Sequence, residues 1–161
     1  MKVQLNTPLT EMLGMRFPII QAPMFLVSNT KMAIEAANAG ITGCIPAMNY
    51  RTILELRSSI LEFKDQCDGP LGINLIVNKF NSQKDKQLEV CVELGVDYII
   101  TSLGNPKSTI QACKSKGIKV FCDVVDLEYA KKVESLGADA IIAVNNQAGG
   151  HLGPMSPEEL I

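Results

Sequence analysis

His151 is the only histidine in a chain of 161 residues, and it directly follows Gly149 and Gly150. Imidazole changes protonation near neutral pH, so it can act as general base or general acid. Glycine lets backbone approach a ligand closely, and its N–H groups can meet an anionic or carbonyl oxygen. The competing reading is a histidine that closes a turn by bonding a carbonyl. Two further polar residues interrupt apolar runs: Asn74 in LGINLIV and Asp123 in KVFCDVV. A buried amide needs partners, so Asn74 bonds either neighbouring backbone or a polar ligand. Asp123 either pairs with a lysine or faces a ligand. The stretch Gln21-Ala22-Pro23-Met24 is either a tight strand exit with Met24 filling core, or a wall for a flat aromatic ligand.

Other chemistries find less support. The five cysteines (Cys44, Cys67, Cys91, Cys113, Cys122) include no CxxC pair. That pattern fits reduced thiols, with neither a disulfide framework nor a metal site. None pairs recognisably with His151 as a nucleophile, which disfavours a Cys–His hydrolase. A formal net charge of −2 supplies no basic excess for phosphates, so no nucleic-acid partner is expected. No apolar run approaches the roughly 18 residues of a membrane span, and MKVQLNTPLTEM has no apolar signal region. The expectation is a cytoplasmic protein with no membrane partner.

The elements that position these residues follow a repeat. Short, almost continuously apolar runs at Pro18–Ala22, Ile41–Pro46, Leu71–Val77, Tyr98–Leu103, Lys119–Val125 and Ala140–Val144 read as parallel strands covered on both faces. Between them, Lys31–Ala39, Thr52–Phe63, Lys84–Leu94 and Leu127–Leu136 carry apolar residues at helical spacing. Gly40, Gly69, Gly95, Gly117 and Gly137 fall between helix and strand, where a left-handed residue closes a helix. Strictly alternating strand and helix leaves a doubly wound sheet or a barrel. The first turn, QAPMFLVSNTK, has no glycine at all, so the dinucleotide fingerprint is absent and the barrel is favoured. A closed (βα)8 barrel takes eight strands and about 250 residues. The expectation is therefore an α/β fold comprising the N-terminal six strands of a (βα)8 TIM barrel, with residues 1–161 forming the N-terminal portion of one domain. The last helix, signalled by Ser156 and Pro157, begins where the sequence ends, which also reads as truncation.

PIIQAPM, NAGITG, GINL and AGGHLG occur in order along nearly the whole chain. Together they resemble the nitronate monooxygenase family, formerly the 2-nitropropane dioxygenases, which also includes flavin-dependent enoyl-acyl carrier protein reductases. The resemblance implies an FMN-binding (βα)8 barrel. Ala22, Pro23 and Met24 would lie along the flavin with backbone amides near its reactive edge. Asn74 would hydrogen-bond the flavin, Gly149 and Gly150 would let the loop pass close to it, and His151 would be the active-site base or hydrogen-bond donor. The implied reaction is oxidation of alkyl nitronates or nitroalkanes by molecular oxygen. The alternatives are an enoyl-ACP reductase using FMN and NAD(P)H, and a non-catalytic half-barrel that assembles with a second copy as a homodimer or with another partner.

Three departures from the family pattern stand out. Gln147 occupies a position where many members have an acid. Asp123 stands where some members carry a neutral or cationic side chain. The family's flavin-phosphate turns follow strands seven and eight, so the 161-residue chain is expected to bind FMN poorly or not at all.

Overall fold

The computed structural model describes residues 4–161. Six strands form one parallel sheet in the order β1-β2-β3-β4-β5-β6: Ile20–Gln21, Thr42–Pro46, Leu71–Ile76, Tyr98–Ser102, Lys119–Val124 and Ala140–Ala143. Each strand pairs with the next in sequence, as barrel staves do; a doubly wound sheet reverses its order at a switch point. The result is six consecutive staves of an α/β barrel. All six strand exits therefore lie at one edge.

The helices are α1 (Pro8–Leu13), α2 (Thr30–Asn38), α3 (Ile53–Gln66), α4 (Lys84–Leu94), α5 (Lys107–Lys114), α6 (Leu127–Ser135) and α7 (Pro157–Leu160). Their starts follow from local chemistry. Thr52 and Glu55 form a reciprocal capping box on α3, as Ser156 and Glu159 do on α7; Asn29 and Asp126 cap α2 and α6. Gly40, Gly95, Gly117 and Gly137 adopt positive φ, as their positions after helices require. Gly69 differs from expectation. It is not left-handed, because α3 ends on Cys67 in extended conformation; a Cβ at Gly69 would instead lie 2.6 Å from the Cβ of Ala37. That glycine serves close packing against α2.

Alternation along the strands separates two cores. Ile45, Leu71, Ile73, Leu75, Ile99, Val120, Cys122 and Val124 face the helices and meet Leu56, Ile60, Phe63, Cys91, Cys113 and Val133. The opposite, inner face carries Ile20, Cys44, Tyr98, Ile100, Phe121, Ala140 and Ile142. At its amino-terminal end α1 closes it, placing Leu9, Met12 and Leu13, with Met15 beyond, against Tyr98 and Phe121. The Tyr98 and Phe121 rings stack with centroids 5.0 Å apart. Tyr98 lies across Gly72, where a Cβ would come 2.1 Å from its Cζ. The helix α1 had no sequence-based expectation: six residues are too few for periodicity to register.

Candidate functional site

Register shows how the exits are furnished. Asn74 pairs with Ile100, and Asp123 with Ile142, so the polar side chains share the inner face with apolar residues at the same level of the sheet. Asn74 is buried, and its amide nitrogen donates to Ile100 O at 3.2 Å and to Ser102 Oγ at 2.8 Å. The Ser102 hydroxyl donates in turn to Asp123 Oδ2 at 2.5 Å. Three adjacent strands thus carry one hydrogen-bonded strip, Asn74–Ser102–Asp123. Burial pushes the Asp123 carboxyl above its ordinary pKa, while the Ser102 hydrogen bond and the charge of His151 pull it back.

The loop carrying His151 is folded back on its own strand. Asn146 N–H donates to Met155 O at 2.8 Å, and Gly153 N–H to Asn145 O at 3.0 Å, which closes the base of the loop. Gly153 has no room for a side chain, since a Cβ would sit 1.9 Å from Val144 O. Gly149, Gly150 and His151 form the exposed tip, and a Cβ on either glycine would meet nothing within 4 Å. Space for a ligand is open there.

Across the sheet, the exit of β1 is built around Ser28, which is fully buried. Its Oγ donates to Ala22 O at 2.8 Å and accepts from Met24 N–H at 2.9 Å and Gln21 Nε2 at 2.8 Å. Asn49, on the exit of β2, ties the loop down by donating to Ser28 O at 2.7 Å and accepting from Leu26 N–H at 2.8 Å. Leu26 is held at φ 59°, an uncommon conformation for leucine. The expectation of free backbone amides along Ala22-Pro23-Met24 needs amending, because Pro23 has no N–H and that of Met24 is taken by Ser28. What the corner presents is the partly exposed Met24 side chain.

Parallel pairing thus brings the Ala22-Pro23-Met24 corner and the Gly149-Gly150-His151 tip to one rim, from opposite ends of the six-strand order, with Asn74 inside β3 between them. Ser28, Asn49, Ser102 and Gly153 support them without having been singled out in the sequence. The rim is not an enclosed pocket. A hollow of about 590 Å³ lies beside α3 among Thr30, Tyr50, Leu54 and Ser59, away from His151. Burial pushes the Cys91 thiol up, and that of Cys113 up to about 11, where the unreactive thiol dominates. Among the described residues no group of three or more His, Cys, Asp or Glu could hold a metal ion, and no helix is long and apolar enough to cross a membrane.

Known proteins share this fold. Fold and sequence both match FabK from Thermotoga maritima, with a TM-score of 0.88 and 31% identity over 95% of this chain and 48% of that one. Nitroalkane oxidase from Streptomyces ansochromogenes shares the fold, with a TM-score of 0.78 at 23% identity, over 91% of this chain and 51% of that one. In sequence, the chain is 31% identical to the (3aS,4S,5R,7aS)-5-hydroxy-7a-methyl-1-oxo-octahydro-1H-indene-4-carboxyl-CoA dehydrogenase of Rhodococcus jostii, over 98% of this chain and 44% of the relative. It is 28% identical to the nitronate monooxygenase of Pseudomonas aeruginosa, over 92% of this chain and 53% of the relative. The chain spans about half the length of the relatives it matches. Residues 6–89 and 77–161 match the family described as nitronate monooxygenase. With both halves of the chain matched, it belongs to the nitronate monooxygenase family.

Proposed function

We propose that the chain supplies the ring-facing half of the active site of an FMN-dependent oxidoreductase whose substrate is an alkyl nitronate or nitroalkane. The observation that supports this most directly is the shared rim, where the single imidazole and the Ala22-Pro23-Met24 corner stand at strand exits and the buried amide Asn74 lies within β3 between them. Active sites of α/β barrels lie at this end.

The residues present fit the flavin. Both hydrogen bonds of the Asn74 side chain use its amide nitrogen, which leaves Oδ1 to accept from an imide N–H. The space over Gly149 and Gly150 is open to a flat ring, and Met24 offers an adaptable apolar wall. When bound, FMN accepts electrons from the substrate and passes them to oxygen. The chain's own residues do the rest. His151 takes a proton from the carbon beside a nitro group, or holds the substrate oxygens by donating to them. Gly149 and Gly150 keep the loop slim enough for substrate to stand between imidazole and ring. Asn74, fixed through Ser102, orients the ring against that imidazole.

A second reading is favoured by a specific observation. Relatives at 31% and 30% identity are named as carboxyl-CoA dehydrogenases, so an acyl thioester is the competing substrate, with FMN and NAD(P)H as the redox pair. Oxygen uptake with a nitronate, set beside NAD(P)H oxidation with an enoyl thioester, separates the two. Nitronate-dependent oxygen uptake lost in His151→Asn is the expected result; thioester-dependent NAD(P)H oxidation without it would transfer the assignment. The visible spectrum of the purified 161-residue chain tests its flavin retention: little yellow colour is expected, and stoichiometric FMN would contradict that.

A further inference from the structure

We infer that the hollow between the exits of β3 and β4 binds the diphosphate of a nucleotide. Coenzyme A and NAD(P)H both carry that group, so the inference goes beyond either substrate reading and rests on no role given to His151.

The hollow, about 560 Å³ and open to solvent, is lined by Asn78, Lys79, Lys84, Asn105, Lys107 and Ser108, with no carboxylate in its wall. In a chain of net charge −2, three ammonium groups around one hollow are a local excess that an anion would answer. Lys84 meets Asp85 at 3.7 Å, but Asp85 lies outside the lining with its side chain 84% exposed, where such a pair is weak. Two of the lysines stand where helices disfavour them. Lys84 opens α4 and Lys107 opens α5, at the positive end of each helix dipole, and neither start has a side-chain cap. The other α-helices start on a Thr, Asn, Asp or Ser cap. An anion between the two bare starts would relieve both.

The uncharged polar groups are set the same way. Asn78 Oδ1 accepts from the N–H groups of Phe80 and Asn81, and Asn105 Oδ1 accepts from Lys107 N–H. Among the described residues no hydrogen bond uses either Nδ2, so both amides keep spare donors. The two exits are pressed together: Val77 N–H donates to Ser102 O at 2.9 Å, and a Cβ at Gly104 would lie 2.6 Å from Val77 O. Phe80 stands beside the lysines, 82% exposed, with its ring centroid 5.3 Å from Lys79 Nζ. An open aromatic face next to a cationic hollow suits a base stacked beside its own phosphates.

Calorimetric titration of the chain with inorganic pyrophosphate, coenzyme A and NADPH tests this. Pyrophosphate and at least one nucleotide should bind, more weakly as salt is added. The tighter nucleotide identifies the source: coenzyme A the acyl thioester, NADPH the hydride donor. Lys107→Glu should weaken pyrophosphate binding roughly tenfold. Lys116→Glu makes the same charge change beyond the far end of α5 and should leave binding within about twofold. Phe80→Ala should cost the nucleotides about tenfold and pyrophosphate nothing. All three side chains are exposed, so the variants should fold. Absence of binding by pyrophosphate or by both nucleotides, or equal losses in the two lysine variants, would overturn the inference. Displacement of pyrophosphate by FMN would also overturn it, by making the hollow a flavin-phosphate site. Nucleotide binding untouched by Phe80→Ala would overturn the choice of a nucleotide. The oxidoreductase reading fails separately: an enzyme without turnover whose hollow still binds pyrophosphate would sink that reading and not this one.

Discussion

The two ends of the inner sheet face are made from the same strands and differ in almost every physical respect. At the amino-terminal end, Cys44, Tyr98 and Phe121 are fully or almost fully buried beneath α1, and Gly72 is a glycine because Tyr98 occupies the place of its side chain. At the exits, four residues on from Tyr98 along β4 and two on from Phe121 along β5, the same face carries Ser102 and Asp123, half-buried and hydrogen-bonded, with the exposed tip at Gly149–His151 beyond. A stave of four to six residues therefore spans the passage from sealed apolar floor to open polar rim. The division assigns stability to the floor and chemistry to the rim, and each side can be perturbed alone.

The largest effect is expected from overfilling the floor. Gly72→Val should destabilise the fold by roughly 3 kcal/mol or more, since ring and backbone must both shift. Gly149→Ala, at the rim, should stay within about 0.5 kcal/mol of the parent. Chemical denaturation midpoints measure both; equal losses would erase the distinction. Next comes His151→Asn in the flavin-loaded enzyme, expected to cost turnover about a hundredfold while leaving the thermal midpoint unchanged. Ser28→Ala follows. It strips the β1 exit of its central hydroxyl and leaves Met24 N–H unpaired, at about 1–2 kcal/mol; an unchanged midpoint would mean that corner is not held as described.

A smaller effect concerns pH. The native Asp123 carboxyl titrates above its unfolded value, so the folded state binds that proton more readily than the unfolded one. Stability should therefore fall as pH rises from the ordinary carboxylate range through the raised native value, and be recovered on acidification. Glu55 and Glu93, whose carboxyls are lowered by their hydrogen bonds, act in the opposite sense. The difference curve between the parent and Asp123→Asn isolates the Asp123 contribution. Its slope should have the stated sign; the reverse slope would mean that Ser102 and His151 outweigh burial. The smallest effect belongs to Arg57→Ala. The Arg57–Glu93 pair lies on the exposed faces of α3 and α4, and no measurable change in thermal midpoint is expected.

The floor and the strands were legible in the sequence because burial writes itself into runs of apolar residues. The expected strands each enclose the observed ones, and Lys84–Leu94 is a helix with those bounds. His151, Asn74, Asp123 and the Ala22-Pro23-Met24 corner could be picked out because each breaks a run or follows one. Ser28, Asn49 and Ser102 could not. Each is an ordinary polar residue whose importance lies in partners up to 28 positions away, which no local period reports. Gly153 went unread for a similar reason: only the carbonyl of Val144, folded back against it, shows why a side chain is forbidden. The edges of the sheet also depart from the pattern. Ile141 on β6 faces outward and is 42% exposed, although AIIAV reads as apolar as the central strands.

The most direct test of the division between floor and rim is to add excess FMN to isotopically labelled protein and map the resonances that move. Met24, the Asn74 side-chain amide, Gly149, Gly150 and His151 should shift, while Leu13, Tyr98 and Phe121 stay in place. Shifts centred on the floor, or a rim unmoved at FMN concentrations that perturb other residues, would contradict the account.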